Sequence, residues 1–125
     1  MRAFLDTHAA VFLWSGRIEE FGRRSRRLLE GAELAVSPVV KLELALLYEI
    51  GRLTVAPQVI LGALLEDCGV HAVDDPMPAV IEKALPITWT RDPFDRLLVA
   101  TAALHRAPLV TRDAKMQAHF EGAVW

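Results

Sequence analysis

The chain has 125 residues, 53% of them hydrophobic and 24% charged, which excludes a disordered protein and allows one buried core. Its net charge of −2, from 14 basic and 16 acidic residues, gives no overall basic signature for nucleic-acid binding, although the sum does not describe local patches such as residues 23–27. A single cysteine excludes an internal disulfide, and no apolar run approaches the roughly 20 residues of a membrane span, so we expect a cytoplasmic protein.

Short apolar runs alternate with helical patterns along the whole chain. The runs end in polar residues, as the buried strands of a parallel sheet do. Helices are indicated by apolar residues at helical spacing, by Ser or Asp caps, by Pro at first helical positions and by Gly after the last turn. In chain order, the pattern predicts a strand at 3–5, helices at 9–14 and 18–30, a strand at 34–36, helices at 38–50 and 57–68, a strand at 70–73, a helix at 79–85, a helix that begins at Asp92, a strand at 108–111, a helix or turn at 114–120 and an edge strand at 123–125.

This alternation predicts the fold class. Strands that alternate with helices form a parallel sheet, because the helices cross over between strands and cover both faces. The sequence contains no internal repeat, linker or low-complexity segment. We therefore expect one domain over residues 1–125, a three-layer α/β/α fold with a short parallel sheet. The apolar fraction is high for so small a chain, which indicates that some apolar surface faces a partner or a second copy.

The segment at 91–107 contains the clearest helix start. Asp92 occupies the N-cap position, Pro93 the first helical position, and Asp95 follows three residues after the cap. Residues 97–104 are almost all apolar or small, which predicts a helix buried on most sides. Because a helix N-terminus favours negative charge, the two carboxylates are either a cap and its dipole partner, or part of a site with other acids.

Other acids are predicted to lie at the same edge of the sheet. Asp6 directly follows the first strand, and Asp113 lies two residues past the fourth. Asp92 and Asp95 start a helix, and a helix that follows a strand begins at the edge where that strand ends. Since ligands of open α/β sheets bind outside the carboxyl ends of the strands, these four carboxylates share that edge by topology.

Glu43 is the most informative single acid, because its surroundings in the predicted helix are apolar. Its neighbours at helical spacing are Val39, Val40, Leu46 and Leu47. A charge on a buried apolar stripe costs several kcal/mol unless it is paired or coordinated. The alternative is a glutamate at the edge of the stripe, with its stem buried and its carboxylate in water.

Converging carboxylates repel one another, and a divalent cation relieves this repulsion. Mg²⁺ or Mn²⁺ prefers oxygen ligands and needs only one or two direct carboxylates beside its waters. The absence of a cysteine cluster and the scattered positions of the four histidines argue against zinc. The chemistry that suits such an ion is phosphodiester hydrolysis, in which it activates a water and stabilises charge on the phosphate.

Several segments of the chain together match a known pattern. They are, in order, L-D-T-H, S-P-V-V-K-L-E-L, Y-E-I-G-R-L, W-T-R-D-P-F-D-R-L-L-V-A-T-A and L-V-T-R-D. Their order and spacing resemble those of PIN-domain ribonucleases, and most of all those of the VapC-type toxins of bacterial and archaeal toxin–antitoxin pairs. The resemblance covers essentially the whole chain.

The resemblance implies an activity, partners and a set of site residues. The activity is Mg²⁺- or Mn²⁺-dependent endoribonuclease cleavage of RNA, performed by a homodimer whose groove is covered by the C-terminal segment of a small cognate antitoxin. Carried over position by position, the four catalytic and metal-binding acids are Asp6, Glu43, Asp95 and Asp113. The secondary positions are Asp92, a further acid in part of the family, and Thr7 and Thr111, where the family often has a hydroxyl. Arg112 is grouped with them, because Arg112 and Arg96 lie beside the acids, where an arginine either binds phosphate or balances charge.

Three other classes of protein compete with the nuclease. A phospho-acceptor receiver domain needs an acidic pair after the first strand and a lysine after the last, but Thr7 follows Asp6 and Arg112 precedes Asp113. A haloacid-dehalogenase-like phosphatase needs a second aspartate where His8 stands. Both fit poorly. A catalytically vestigial PIN-like binding module stays open as the alternative function.

Overall fold

Five short strands form one all-parallel sheet in the computed structural model, which describes residues 1–125. The strands are β1 (Arg2–Leu5), β2 (Glu33–Val36), β3 (His71–Ala72), β4 (Leu109–Val110) and β5 (Ala123–Val124), in the sheet order β3-β2-β1-β4-β5. The helices that flank the sheet are α1 (Thr7–Trp14), α2 (Arg23–Gly31), α3 (Val39–Glu49), α4 (Pro57–Cys68), α5 (Met77–Ala84), α6 (Pro93–Leu104) and α7 (Ala114–His119). The predicted α/β fold with a short parallel sheet is confirmed.

The first strand of the chain, β1, forms the middle of the sheet. Ala3, Phe4 and Leu5 are all buried, as expected for a strand that is covered on both faces. Phe4 is in register with Ala35 of β2 on one side and with Leu109 of β4 on the other. The carboxyl end of β1 therefore opens at the centre of the sheet edge, between the ends of β2 and β4.

The segment at 18–30 is not one helix, and that prediction was wrong. A 3₁₀ turn covers Ile18–Glu20, the backbone is extended at Phe21, and α2 starts only after this interruption. Phe21 is buried beside the rings of Phe12 and Trp125, at centroid distances of 6.3 and 4.9 Å. The packing of this one aromatic side chain outweighs the helical spacing of its neighbours.

Other helices begin or end within a few residues of their predicted bounds. The helix α1 begins earlier than predicted, because the Asp6 side chain already caps it. The helix α3 begins after Pro38, and Ser37 Oγ accepts the Val39 N–H at 3.2 Å. The helix α4 has the predicted bounds and ends at Gly69, whose φ of +67° is the left-handed conformation that glycine adopts without strain.

The helices that carry the predicted site residues are neighbours. The helix α3 contacts both α1 and α6. Since α1 and α7 follow the parallel strands β1 and β4, both helices begin at the carboxyl edge of the sheet. None of the helices has the length and apolar character needed to cross a membrane.

Candidate active site

Asp6 stands at the centre of the site edge, directly after β1. Only 6% of its surface is exposed, and its Oδ1 accepts the Ala9 N–H at 2.7 Å, which caps α1. The capping bond fixes the carboxylate at the place where the central strand ends. The position of Asp6 at the end of a strand therefore places it at the edge of the sheet, and the hydrogen bond from Ala9 holds it there.

Two copies of the tripeptide Thr-Arg-Asp, at residues 90–92 and 111–113, place two further acids. In each copy the threonine Oγ1 accepts the backbone N–H of the aspartate, at 3.2 Å in the first and 3.1 Å in the second. Each aspartate Oδ1 then accepts a first-turn N–H, at 2.9 Å, and so caps α6 or α7. Asp92 and Asp113 are therefore presented in the same way at two helix starts.

Glu43 resolves the conflict between its charge and its apolar helix by pairing with a hydroxyl. It lies half-buried in α3, and the Thr7 Oγ1–H donates a hydrogen bond to its Oε1. Thr7 is itself fully buried at the start of α1. The carboxylate is therefore held toward the edge of the sheet rather than free on the helix surface.

All of the predicted acids line one cleft. The cleft has a volume of about 430 Å³ and opens at the carboxyl edge of β1. We refer to it as the carboxylate cleft, and its lining residues are Asp6, Thr7, His8, Glu43, Asp92, Asp95, Leu98, Arg112, Asp113 and Met116. Asp6, Glu43, Asp95 and Asp113, which are far apart in sequence, are thus brought together, with Asp92 and Thr7 beside them.

Two of the cleft carboxyls, those of Asp95 and Asp6, have a raised pKa. The pKa of Asp95 is raised to about 6, first by partial burial and then by the charges of Asp92, Asp113, Glu43 and Asp6. The pKa of Asp6 is also raised, mainly because its carboxylate is buried. The cleft therefore concentrates negative charge around Asp95.

This donor set fits a hard divalent cation. Carboxylate oxygens are the ligands that Mg²⁺ and Mn²⁺ prefer, and repulsion among them is relieved by a bound cation. No three side chains of the Asp, Glu, His and Cys types come close enough to bind one ion together. The arrangement suits Mg²⁺, which takes one or two carboxylates and keeps several waters.

The two arginines beside the acids have different positions. Arg96 donates to the backbone carbonyls of Ala84 and Leu85, at 3.1 and 3.2 Å, and so it caps the end of α5 outside the cleft. Arg112 lines the cleft, with its guanidinium over the Phe12 ring at 4.6 Å and its Nη1 3.5 Å from Glu20.

Thr111 lies buried beneath the carboxylate cleft. It is fully buried and does not line the cleft, but its hydrogen bonds reach the acids on both sides of it. Its Oγ1 accepts the Asp113 N–H, and its hydrogen bond to Asp6 opposes the rise in the pKa of that carboxyl. It acts as a support for two acids rather than as a lining group.

Three lining residues were not among the predicted site residues. These are His8, Leu98 and Met116. His8 follows Asp6 by two positions in the first turn of α1, so its place at the edge was available from topology alone. Leu98 and Met116 are buried core residues whose contribution to a cleft has no signal in the sequence.

Comparison with known proteins agrees with this arrangement. The family model of the PIN domain matches residues 3–121. The chain belongs to the PIN domain family. This PIN domain is 36% identical to Ribonuclease VapC22 of Mycobacterium tuberculosis (strain ATCC 25618 / H37Rv) over 118 residues, which are 92% of this chain and 89% of the relative. The family that the motifs indicated is therefore confirmed.

Solved structures share the fold of this PIN domain at low sequence identity. VapBC2 from Rickettsia felis, bound to a DNA fragment from its promoter, superimposes with a TM-score of 0.70 at 18% identity, over 99% of this chain and 96% of that one. A toxin–antitoxin complex from Klebsiella pneumoniae gives a TM-score of 0.68 at 24% identity, over 98% of this chain and 96% of that one.

Proposed function

We propose that this PIN domain is an endoribonuclease that hydrolyses RNA phosphodiester bonds with Mg²⁺ or Mn²⁺. We further propose that it is the cytoplasmic toxin of a type II toxin–antitoxin pair. The observation that carries the proposal is the meeting of Asp6, Glu43, Asp95 and Asp113 in one cleft. The 36% identity to a protein named as a ribonuclease supports it over almost the whole chain.

One or two of these four acids would bind the cation directly, and the others would contact it through its waters. When bound, a divalent cation supplies Lewis-acid chemistry, which makes water a stronger nucleophile and offsets charge on the phosphate. The carboxylates then have no need to act as nucleophiles. Their task is to fix the positions of the cation, the water and the phosphate, and positioning of reacting groups is itself a large part of enzymatic rate enhancement.

The neighbouring groups of the chain keep the acids in place for this task. The Ala9 N–H holds Asp6, the Thr7 hydroxyl holds Glu43, and both bonds lie at the start of α1. Asp95 has a pKa near 6, so it is mostly ionised at neutral pH and able to bind a cation. Arg112 supplies the one guanidinium at the cleft, where it can pair with a phosphate oxygen.

An apolar stripe on α3 supports the proposed protein partners. Leu42, Leu46 and Ile50 are all exposed and follow one another at intervals of four residues, so they share one face. Exposed apolar stripes of this kind mark protein–protein contacts. We assign the antitoxin and a second copy of the chain as the partners, and light scattering of the purified protein with and without its neighbouring gene product tests both.

The competing proposal is a binding module whose catalytic site is vestigial. Its support is that no three potential ligands approach one another closely enough to bind one ion directly. Calorimetric titration of the protein with Mn²⁺ distinguishes the two proposals. A working site binds Mn²⁺ and loses affinity on Asp6→Asn, whereas a vestigial site shows no difference between wild type and variant.

The deciding experiment is cleavage of total cellular RNA by the antitoxin-free protein with Mg²⁺, Mn²⁺ or EDTA. We expect discrete, metal-dependent fragments that are lost in Asp6→Asn and in Glu43→Gln. The matched controls are Asp67→Asn and Glu66→Gln, which change exposed acids of α4 outside the carboxylate cleft. Folded protein that cleaves no RNA with either metal contradicts the nuclease and favours the binding module.

A further inference from the structure

A second cleft adjoins the carboxylate cleft and adds two cations and an aromatic ring to acids that both clefts share. Its volume is about 640 Å³, within the roughly 300–1,000 Å³ of ligand sites in proteins. We refer to it as the basic cleft, because its lining includes Trp89, Arg91 and Lys115. It shares three acids with the carboxylate cleft, which are Asp92, Asp95 and Asp113. The two clefts therefore meet at these acids.

The two cations of the basic cleft are free to bind a ligand. Arg91 and Lys115 are exposed, and neither side chain makes a salt bridge or a hydrogen bond within the protein. Arg91 directly precedes Asp92, and Lys115 follows Asp113 by two positions, so both cations flank the acids. The net charge of the chain is −2, and the carboxylate cleft by itself repels a polyanion. A nucleic-acid strand that reaches the acids needs local cations at this place.

Trp89 gives the basic cleft an aromatic surface. Its ring is half-buried and stacks on His119, with the ring centroids 5.2 Å apart and an interplanar angle of 13°. His119 does not line the cleft, whereas Trp89 does. Trp89 therefore presents an aromatic ring beside two unpaired cations, and proteins that bind unpaired nucleotides combine aromatic rings with cations in this way.

We propose that the basic cleft is a subsite for a single-stranded RNA nucleotide next to the scissile phosphate. The base stacks on Trp89, and the phosphates adjacent to it pair with Arg91 and Lys115. This inference rests on the proposed nuclease function, and it adds the part of the surface that selects unpaired RNA. Stacking tolerates any base, so the subsite contributes affinity and strand selection more than base identity.

The test measures binding of a fluorescein-labelled single-stranded RNA that the wild-type protein cleaves. All variants are made in a Glu43→Gln background, because Glu43 does not line the basic cleft and its loss prevents cleavage during the titration. We expect Trp89→Ala to weaken binding on the order of 5- to 150-fold, the range for one stacked base. Lys115→Ala and Arg91→Ala should each reduce the slope of log K against log salt by about 0.7, as expected for the loss of one phosphate contact to a single strand.

Matched controls separate the subsite from general effects. Arg52→Ala removes an exposed cation beyond the end of α3, and Trp14→Phe changes a tryptophan outside both clefts, so both variants should bind RNA as the parent does. An RNA with an abasic site at one nucleotide flanking the scissile phosphate should bind the parent protein more weakly than the unmodified RNA does. The Trp89→Ala variant should bind both RNAs equally. Duplex RNA of the same sequence should be insensitive to Trp89→Ala.

The outcomes distinguish the inference from the function on which it rests. If the wild-type protein cleaves RNA but the Trp89, Arg91 and Lys115 variants keep the RNA affinity of their Glu43→Gln parent, the subsite is wrong and the nuclease stands. If the variants keep RNA affinity but lose the antitoxin complex, the basic cleft belongs to the protein partner and the proposal is also overturned. If the protein cleaves no RNA at all, the proposed function fails first.

Discussion

Asp95 is the residue at which the conflict within the site is greatest. Its pKa of about 6 lies above the ordinary 3.8, so the folded chain binds a proton at this carboxyl more tightly than the unfolded chain does. The stability that Asp95 contributes is therefore present at low pH and is lost as the pH rises from about 4 through about 6. The cation site that we propose would use the ionised carboxylate at neutral pH, so it would be assembled at the expense of stability.

Asp95→Asn should raise the melting temperature of the cation-free protein by a few degrees at pH 7 and leave it nearly unchanged at pH 4. Solvent screens this partly exposed group, so the gain is smaller than the full pKa shift implies. Thermal melts in EDTA across this pH range measure the effect, with Asp67→Asn as the control. Equal pH dependence in Asp95→Asn and wild type would show that neither burial nor the neighbouring carboxylates raise the pKa of Asp95.

Thr7 is expected to act through Glu43 rather than on the substrate. Thr7→Val removes the hydroxyl that donates to Glu43 but keeps the shape of the buried side chain. We expect the rate of RNA cleavage to fall on the order of 10- to 100-fold, because a displacement of a reacting group by about 1 Å has effects of this size. Thr7→Ser keeps the hydroxyl and should retain most of the activity. Equal losses in Val and Ser variants would contradict a role of the hydrogen bond.

At the scale of elements, the helix starts are where folding and site chemistry coincide. Asp92 caps α6 through a 2.9 Å bond to the Phe94 N–H and also lines both clefts. A cap needs only an acceptor oxygen, whereas cation binding and repulsion of Asp95 need a negative charge. The two roles can therefore be separated by substitution.

Asp92→Ala should lower the free energy of unfolding by about 1 kcal/mol, the usual cost of a lost N-cap. Asp92→Asn keeps an acceptor and should keep most of that stability. Because it also removes one charge beside Asp95, Asp92→Asn should lower the pKa of that carboxyl, which NMR titration of the side chain measures. If both variants lose the same stability, the cap is not the stabilising contact.

The elements that the sequence predicts correctly are those with local signals. Pro57 and Gly69 bound α4, and the strand β1 follows from a short apolar run. The break before α2 was missed, because the burial of Phe21 against Trp125 depends on residues that are distant in sequence. The acids could be placed at one edge of the sheet, because they follow strand ends. The hydrogen bond from Thr7 to Glu43 could not be predicted, because it joins residues that are distant in sequence.

The side chains that line the carboxylate cleft could be predicted from the sequence only where they follow the end of a strand. Arg96 and Arg112 have equivalent places beside acids in the sequence, yet the fold directs one to the end of α5 and the other into the cleft. The basic cleft had no such signal, since Trp89 and Lys115 meet only when two separate turns are brought together.

On the scale of the whole molecule, the backbone after β5 packs closely against Gly22, which directly precedes α2. A Cβ on Gly22 would lie 2.6 Å from the backbone carbonyl carbon of Trp125, so no side chain fits there without movement of the backbone. Trp125 also stacks on Phe21 at 4.9 Å. This contact is the point at which the last strand of the sheet is locked to the aromatic cluster beside α1.

Gly22→Ala should destabilise the protein by about 1–3 kcal/mol, the usual cost of inserting a group into a packed region. Gly62→Ala is the matched control, because Gly62 lies within α4 and a Cβ there meets nothing within 4 Å. That substitution should stabilise the protein by about 0.5–1 kcal/mol through helix propensity. Chemical denaturation measures both, and an unchanged midpoint for Gly22→Ala contradicts the close approach.

The place of β1 at the centre of the sheet has a consequence for how the protein is made. Its neighbour β4 and the cleft acid Asp113 are synthesised after β1 and Asp6 and after all the elements between them. During synthesis the central strand lacks one of its two partners, and the carboxylates that form the cleft have not met. The carboxylate cleft is therefore complete only after β4 and Asp113 have been made, so the activity proposed for it is a property of the folded chain and not of the nascent one.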